Sequence, residues 1–362
     1  MMMELKDYTM PAEWERHAAT LLAWPHNKAD WPDKFAPIPW VYGEIIKNLT
    51  QVERVTLIVR NEKEKQFALD VCVRSGANAE KIDFHIIPTN RIWMRDSGPI
   101  VVKAIGSRLQ ASVEQKKKPE ARSSKPNLAM LDLRFNAWAK YANHKLDDKV
   151  PAALNEVWNL PRIQPMHKGK RVVLEGGSID VNGAGLLLTT EECLLDADTQ
   201  VRNPNFTRED YEEVFAKYLG IKKVIWLGKG IVGDDTHGHV DDITRFVSKD
   251  TVVTVVEKDK TDDNHALLKD NVKRLKSAGL NVVELPMPKP VIFEGQRLPA
   301  SYANFLIAND IVLVPTFNDA NDRIALNILA EIFPKREVVG IHAVDLVWGL
   351  GTIHCMSQQI PA

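Results

Sequence analysis

The chain is predicted to be an α/β protein built from about five copies of one unit, in the order strand, hairpin turn, strand, helix, strand. Three observations carry this reading. Apolar runs flank Asn182-Gly183 in SIDVNGAGLLLTT, Lys249-Asp250 in ITRFVSKDTVVTVV and Asn309-Asp310 in FLIANDIVLVPTF, and turn-forming pairs between β-branched runs are hairpin signals. Each hairpin is followed by a stretch whose apolar residues recur at three and four: TREDYEEVFAKYLG, DNHALLKDNVKRLKSAG and DRIALNILAEIFP. One further β-rich run follows each helix, namely KKVIWLG, NVVELPMP and REVVGIHA.

Two earlier copies are less regular. TLLAWP, a helical stretch after Ile38 and RVTLIVR make the first, and FALDVCV has the periodicity of a core helix that buries Cys72. IVVKA, LAMLDLRF, a helix over DDKVPAALNEVWN and the strand RVVLE make the second. Within it, SRLQASVEQKKKPEARSSKPN is charged and poor in apolar residues, so it reads as a solvated insertion loop at about 106–127 of a single domain spanning 1–362.

Composition narrows the function classes. Of 362 residues, 44% are hydrophobic, enough for a substantial core. The 47 Lys and Arg nearly cancel the 48 Asp and Glu, so no global field favours nucleic acid or an anionic membrane, and a small molecule is the expected partner. The N-terminal segment lacks the basic and apolar regions of a signal peptide, and no run approaches the ~18 apolar residues of a membrane span. A cytoplasmic location is therefore expected. Three widely separated cysteines, Cys72, Cys193 and Cys355, argue against a disulfide framework and leave room for a working thiol. Cys193 in TTEECLL is expected to be buried and inert.

The position before each hairpin recurs at one end of every unit and would face a common centre if the units closed into a ring. Asp96 in WMRDSGP, Glu175 in LEGGS, His239 and Asp241 in HGHVDD, and Asn304 in SYANF fall there, and the chain closes on His354-Cys355. A ring would gather a thiol, an imidazole and several carboxylates into one pocket. Gly176 and Gly177 would let backbone approach closely. In an extended strand neighbours point to opposite faces, so His354 is expected to serve packing or structural bonding.

MPAEWERHAATLLAWP, WMRDSGP, FNAW, LEGGSIDVNG with TTEECLL, GHVDD, SYANFLIAN and IHCMSQQ occur in this order over nearly the whole chain. With these motifs the sequence resembles the agmatine deiminase and bacterial peptidylarginine deiminase family of the guanidine-modifying pentein superfamily. The resemblance implies a five-bladed pseudosymmetric α/β propeller, the pentein fold, that hydrolyses a guanidinium to a ureido group with release of ammonia. It further implies that Asp96 and Asp241 form a carboxylate fork for the planar cation, although a lone Asp is ordinarily a surface ion pair or N-cap. Cys355 would attack the guanidinium carbon and His239 would serve as acid and then base, through an amidino-cysteine intermediate. Glu175 would orient His239 or add negative potential, Asn304 would contact substrate, and Trp93 would stack on the cation or pack in the core. The neighbouring carboxylates should disfavour the Cys355 thiolate until a cationic substrate binds.

His237, His239, Asp241 and Asp242 also have the spacing of a metal-binding loop, which makes a metal-dependent hydrolase the rival reading. It leaves Cys355 unemployed. His237, Asp242 and Asp180 depart from the family pattern, where an acidic residue, Asn and His are usual. These departures bear on substrate more than on reaction. Agmatine is the expected substrate, with arginine or peptidyl-arginine as alternatives. No cofactor and no metal is implied, and a homodimer is a reasonable expectation for an enzyme of this size.

Overall fold

The computed structural model describes residues 8–105 and 127–362. Apart from Asn127, the predicted insertion loop lies outside the described residues. The protein is α/β, and the repeating unit is present as a sheet motif: an antiparallel hairpin whose second strand is joined through a helix to a parallel third strand.

The motif is plainest in the second half of the chain. Asp180–Val181 pairs antiparallel with Leu186–Thr190, which runs parallel to Lys223–Leu227. Thr244–Phe246, Thr251–Val256 and Asn281–Pro286 repeat it, as do Leu306–Ile307, Ile311–Thr316 and Glu337–His342. The connecting helices are Arg208–Leu219, Asn264–Ser277 and Ala320–Ile332, where the period of three and four places them. Thr207 and Asp210 form a capping box at the start of the first, worth about 1 kcal/mol, and Gly220 ends it in the left-handed conformation.

The first two units differ from the expectation. His17–Ala23, Arg54–Val59 and Ile82–Ile86 run parallel, and the antiparallel partner of His17–Ala23 is the C-terminal strand Ser357–Pro361. The strand that follows Cys355 is thereby fixed at the start of the chain. In the second unit Tyr8–Thr9, Ile100–Ala104 and Leu128–Leu131 are joined by Arg162–Ile163, and RVVLE meets the end of LAMLDLRF only at one parallel bridge, Val173 to Arg134. Pro161 O bonds Met130 N in that register, whereas Lys170–Arg171 turns back on Met166–His167. The helix Glu62–Arg74 does bury Cys72.

Apolar side chains of the strands and helices meet in three clusters, of which the largest joins the first unit to the last. A charged group is embedded among them. Arg245, fully buried on Thr244–Phe246, places Nε 2.6 Å from Asp180 Oδ2, Nη2 2.5 Å from Glu13 Oε2, and Nη1 2.7 Å from the carbonyl of Phe305. One guanidinium thus ties three segments together. Removing one partner of a buried ion pair leaves the other uncompensated. Arg245→Met should therefore destabilise the protein by about 3–5 kcal/mol in urea unfolding, with Glu13 and Asp180 stranded as buried anions.

Candidate active site

A cavity of about 200 Å³, open to solvent, has Cys355, Asp96 and Trp93 on its wall. Cys355 lies in a turn just before Ser357–Pro361. Upstream, the indole of Trp31 donates to Leu346 O at 2.9 Å and holds the approach to the turn. Asn304 organises the turn itself. Its Oδ1 accepts from Thr352 Oγ1 at 2.7 Å and from the backbone N–H of His354 at 3.1 Å, while its Nδ2 donates to Cys355 Sγ at 3.1 Å. Burial first, then the charges of Asp241, Asp242 and Asp96, push the Cys355 thiol well above its ordinary range. The shift favours the neutral thiol over the thiolate.

Two carboxylates approach this sulfur from separate elements. Asp96, on the short helix Met94–Ser97, accepts from Gly177 N at 3.1 Å and from the Trp138 indole at 2.9 Å. Burial raises its carboxyl to about 6, with Asp241 and Glu175 adding and His239 opposing. Asp241, on the single turn Val240–Asp242, puts Oδ2 3.8 Å from Cys355 Sγ and 2.6 Å from His354 Nδ1. Against burial, the His354 hydrogen bond and charge hold Asp241 below the ordinary carboxylate range. Its Oδ1 is buried without a partner. A buried acceptor left unpaired is costly, so this oxygen suits a donor that arrives with the ligand.

His239 is wholly buried between two acids, with Nδ1 3.8 Å from Asp96 Oδ1 and Nε2 3.9 Å from Glu175 Oε2. Neither ring nitrogen is within hydrogen-bond distance of a partner. Burial alone would lower its pKa, but the Asp96 charge, Cys193 and Glu175 together drive it well above the ordinary value, favouring imidazolium. Glu175 is held at about 2 against burial, chiefly by Arg202, whose Nε lies 3.2 Å away. Gly177 permits this packing, since a Cβ there would sit 2.5 Å from His239 Nδ1 and 3.0 Å from Asp96 Oδ1.

Of the residues singled out by sequence, Cys355, Asp96 and Trp93 line the cavity, and His239, Asp241, Glu175 and Asn304 are buried against them. Glu175 lies against Arg202 and beside His239, and both ends of the Asn304 amide are taken up by the Cys355 turn and by Asp242. Cys193 is buried as expected, yet its sulfur lies within 4.8 Å of ligand atoms of both Glu175 and His239, so it belongs to the surroundings of the imidazole. Trp93 lines the cavity and packs on Trp31 at 5.8 Å between ring centroids. The two imidazoles of HGHVDD do not converge as metal ligands would. His237 Nε2 bonds Asp196 at 2.8 Å, and His239 faces Asp96 and Glu175. Asp242 is pushed well above the carboxylate range by burial and by Asp241 and Asp234, and it accepts from Asn304 at 3.0 Å. Asp180 is the partner of Arg245.

The chain matches the model of the Porphyromonas-type peptidyl-arginine deiminase family over residues 9–361. It belongs to that family. Curated relatives from Legionella pneumophila (strain Paris) and Latilactobacillus sakei subsp. sakei (strain 23K), each named "Putative agmatine deiminase", are 32% and 33% identical. The alignments cover 98% of this chain in both cases, and 95% and 96% of the relatives. Among solved structures, agmatine deiminase of Enterococcus faecalis superposes with a TM-score of 0.82 at 29% identity, over 99% of this chain and 97% of that one. A cysteine-to-serine variant of the C. jejuni agmatine deiminase with substrate bound gives 0.83 at 29% identity, over 98% and 96%.

Several residues of this family member's site were not picked out by sequence. Trp138 was quoted only as part of FNAW, yet its indole bonds Asp96 and it lines the cavity, on a run where Ala137, Trp138 and Ala139 all have positive φ. Asp30, Arg91 and Asp235 also line the cavity, and isolated charged residues in loops give no signal of that. Gly351 offers a direct test of the geometry, because a Cβ there would meet the Trp93 ring at 2.9 Å and Cys355 Sγ at 3.3 Å. Gly351→Ala should leave the unfolding midpoint within about 1 kcal/mol of wild type yet slow alkylation of Cys355 and catalysis by at least about tenfold, as a displaced nucleophile requires.

Proposed function

We propose that the chain is an agmatine deiminase, hydrolysing the guanidinium of agmatine to N-carbamoylputrescine and ammonia. The observation that carries this is the Cys355 thiol 3.8 Å from Asp241, a buried carboxylate with one unpartnered oxygen, on a cavity wall shared with Asp96. The two acids would clamp the planar cation and Trp93 would flank it. Cys355 Sγ, as thiolate, bonds to the guanidinium carbon. The bond to a terminal nitrogen then breaks as the His239 imidazolium gives that nitrogen its proton, and ammonia leaves an amidino-cysteine. Neutral His239 takes a proton from water as its oxygen adds to the same carbon. Collapse breaks the C–S bond, and the remaining hydroxyl proton passes to the departing Cys355 sulfur, leaving the neutral ureido product and the thiol. Glu175 holds His239, and Asn304 holds the nucleophile's turn.

The comparisons support agmatine, since the relatives carry that name. The cavity wall agrees with a second positive charge on the ligand. Asp30 lies on it with one buried carboxylate oxygen lacking a partner. Arg91, also on the wall and 3.4 Å from Asp30, is the cation that the carboxylate of free arginine would need, so arginine stands as the second reading. In this proposal the five sheets of three or four strands form the blades of a pseudosymmetric propeller, with residues 1–362 as one catalytic domain acting in the cytoplasm as a homodimer.

The test is ureido product and ammonia release from agmatine, arginine and a blocked arginyl peptide, in chelator throughout. Agmatine should be turned over fastest, and Cys355→Ser should lower kcat by at least about 10³-fold. Turnover that persists in Cys355→Ser, or that chelator abolishes, would overturn the assignment.

A further inference from the structure

A buried chain of alternating charges runs behind the site and is not used by the proposed chemistry. His354 is 1% exposed, with Nδ1 2.6 Å from Asp241 Oδ2 and Nε2 2.7 Å from Glu13 Oε2. Glu13 Oε2 also receives Arg245, and Glu13 Oε1 accepts from Ile307 N at 2.8 Å. An ionised carboxylate can only accept hydrogen bonds, so each ring nitrogen this close to one must bring its own proton. Independently of His354, Glu13 is favoured as an anion by the Arg245 guanidinium on Oε2 and the Ile307 N–H on Oε1. A neutral imidazole has a single N–H and would turn its lone pair on one of these oxygens in a dry interior, where such contacts are most unfavourable.

We propose that His354 is an imidazolium that donates from both ring nitrogens, to Asp241 and to Glu13, and that Glu13, supplied from the opposite end of the chain, is a positioning residue for the guanidinium fork. His354 donates to Oδ2 of Asp241 and leaves Oδ1 as the oxygen open to substrate. This rests on reading Asp241 as a guanidinium-binding carboxylate. The charged groups facing His354 are Glu13 from the N-terminal segment, Asp241 from its turn, Arg245 from its strand, and Arg95 from the helix Met94–Ser97. Arg95 donates to His354 O at 3.3 Å and lies 3.6 Å from Glu13 Oε2. The two guanidinium groups oppose a third cation. The two hydrogen bonds to the imidazole outweigh them because they are direct, charge-assisted and buried.

The test uses the whole protein labelled with ring-15N histidine and observed by NMR at about pH 8, with His354 assigned by loss of its signals in His354→Gln. Both His354 nitrogens should be protonated in wild type, and only one in Glu13→Gln, which keeps the shape and removes the charge. In that variant kcat/KM for agmatine should fall about 10- to 100-fold, chiefly through KM, as when an outer hydrogen-bond partner of a site is lost. The acid limb of the profile should move to higher pH, because Cys355 and Asp241 each lose a nearby cation, and Glu13→Asp should partly restore it. A singly protonated His354 in wild type would overturn the inference. So would a Glu13→Gln enzyme that merely yields less folded protein with an unmoved acid limb. Failure of wild type to turn over any guanidine would instead count against the proposed function, and the NMR result would stand apart from it.

Discussion

Everything around Cys355 depends on keeping several carboxylates buried within reach of one another. Asp96, Asp241, Asp242 and Glu175 are all at least nine-tenths buried, and Asp241 adds to the cost of ionising both Asp96 and Asp242. The protein meets this cost in two ways. Glu175 is kept as an anion by Arg202 in direct contact, and Asp241 is favoured as one by its hydrogen bond with His354. Asp242 and the Cys355 thiol have no such cation and are held in their neutral forms. The site is therefore short of positive charge in its centre, between Asp96 and the free oxygen of Asp241. A guanidinium ion supplies what is missing in both sign and hydrogen-bond pattern.

The fold is arranged to hold these groups rigidly. Asp96, Glu175, Asp241 and Asn304 each lie just ahead of the sheet strand that follows them, and the closing strand carries Cys355 to the first sheet. Positions defined by strand ends tolerate little movement, and the glycines at 177 and 351 let backbone pass within contact of the reacting side chains. The Arg245 network adds a second tie between the N-terminal segment and the sheets that bear Asp241 and Asn304.

The second half of the fold was legible in sequence because its turns, Asn182-Gly183 and Asn309-Asp310, are local signals and its helices keep a clean period. The first unit was not fully legible, since its antiparallel strand comes from Ser357–Pro361, a pairing no local window contains. Arg162–Ile163 escaped because a two-residue strand beside proline lacks a pattern, and of RVVLE's β-rich run only Val173 pairs with the same strand. Cys355, Asp96, His239 and Asp241 were found through motifs, and geometry brings them together. Glu13 and Arg245 were missed because a charge in an apolar stretch reads as surface until its buried partner, hundreds of residues away, is known.

The most direct test of the central claim is an ultraviolet titration of the Cys355 thiolate, taken as the difference between wild type and Cys355→Ala, with and without a non-hydrolysable guanidinium ligand. Burial pushes Cys72 up to about 12, so it does not interfere near neutrality. If the buried acids hold the thiol neutral until a cation enters, the titration should start well above the ordinary cysteine range and move down by at least about one pH unit when ligand binds. A thiol already ionised at neutral pH in the empty site, or a titration that ligand leaves unmoved, would contradict the account.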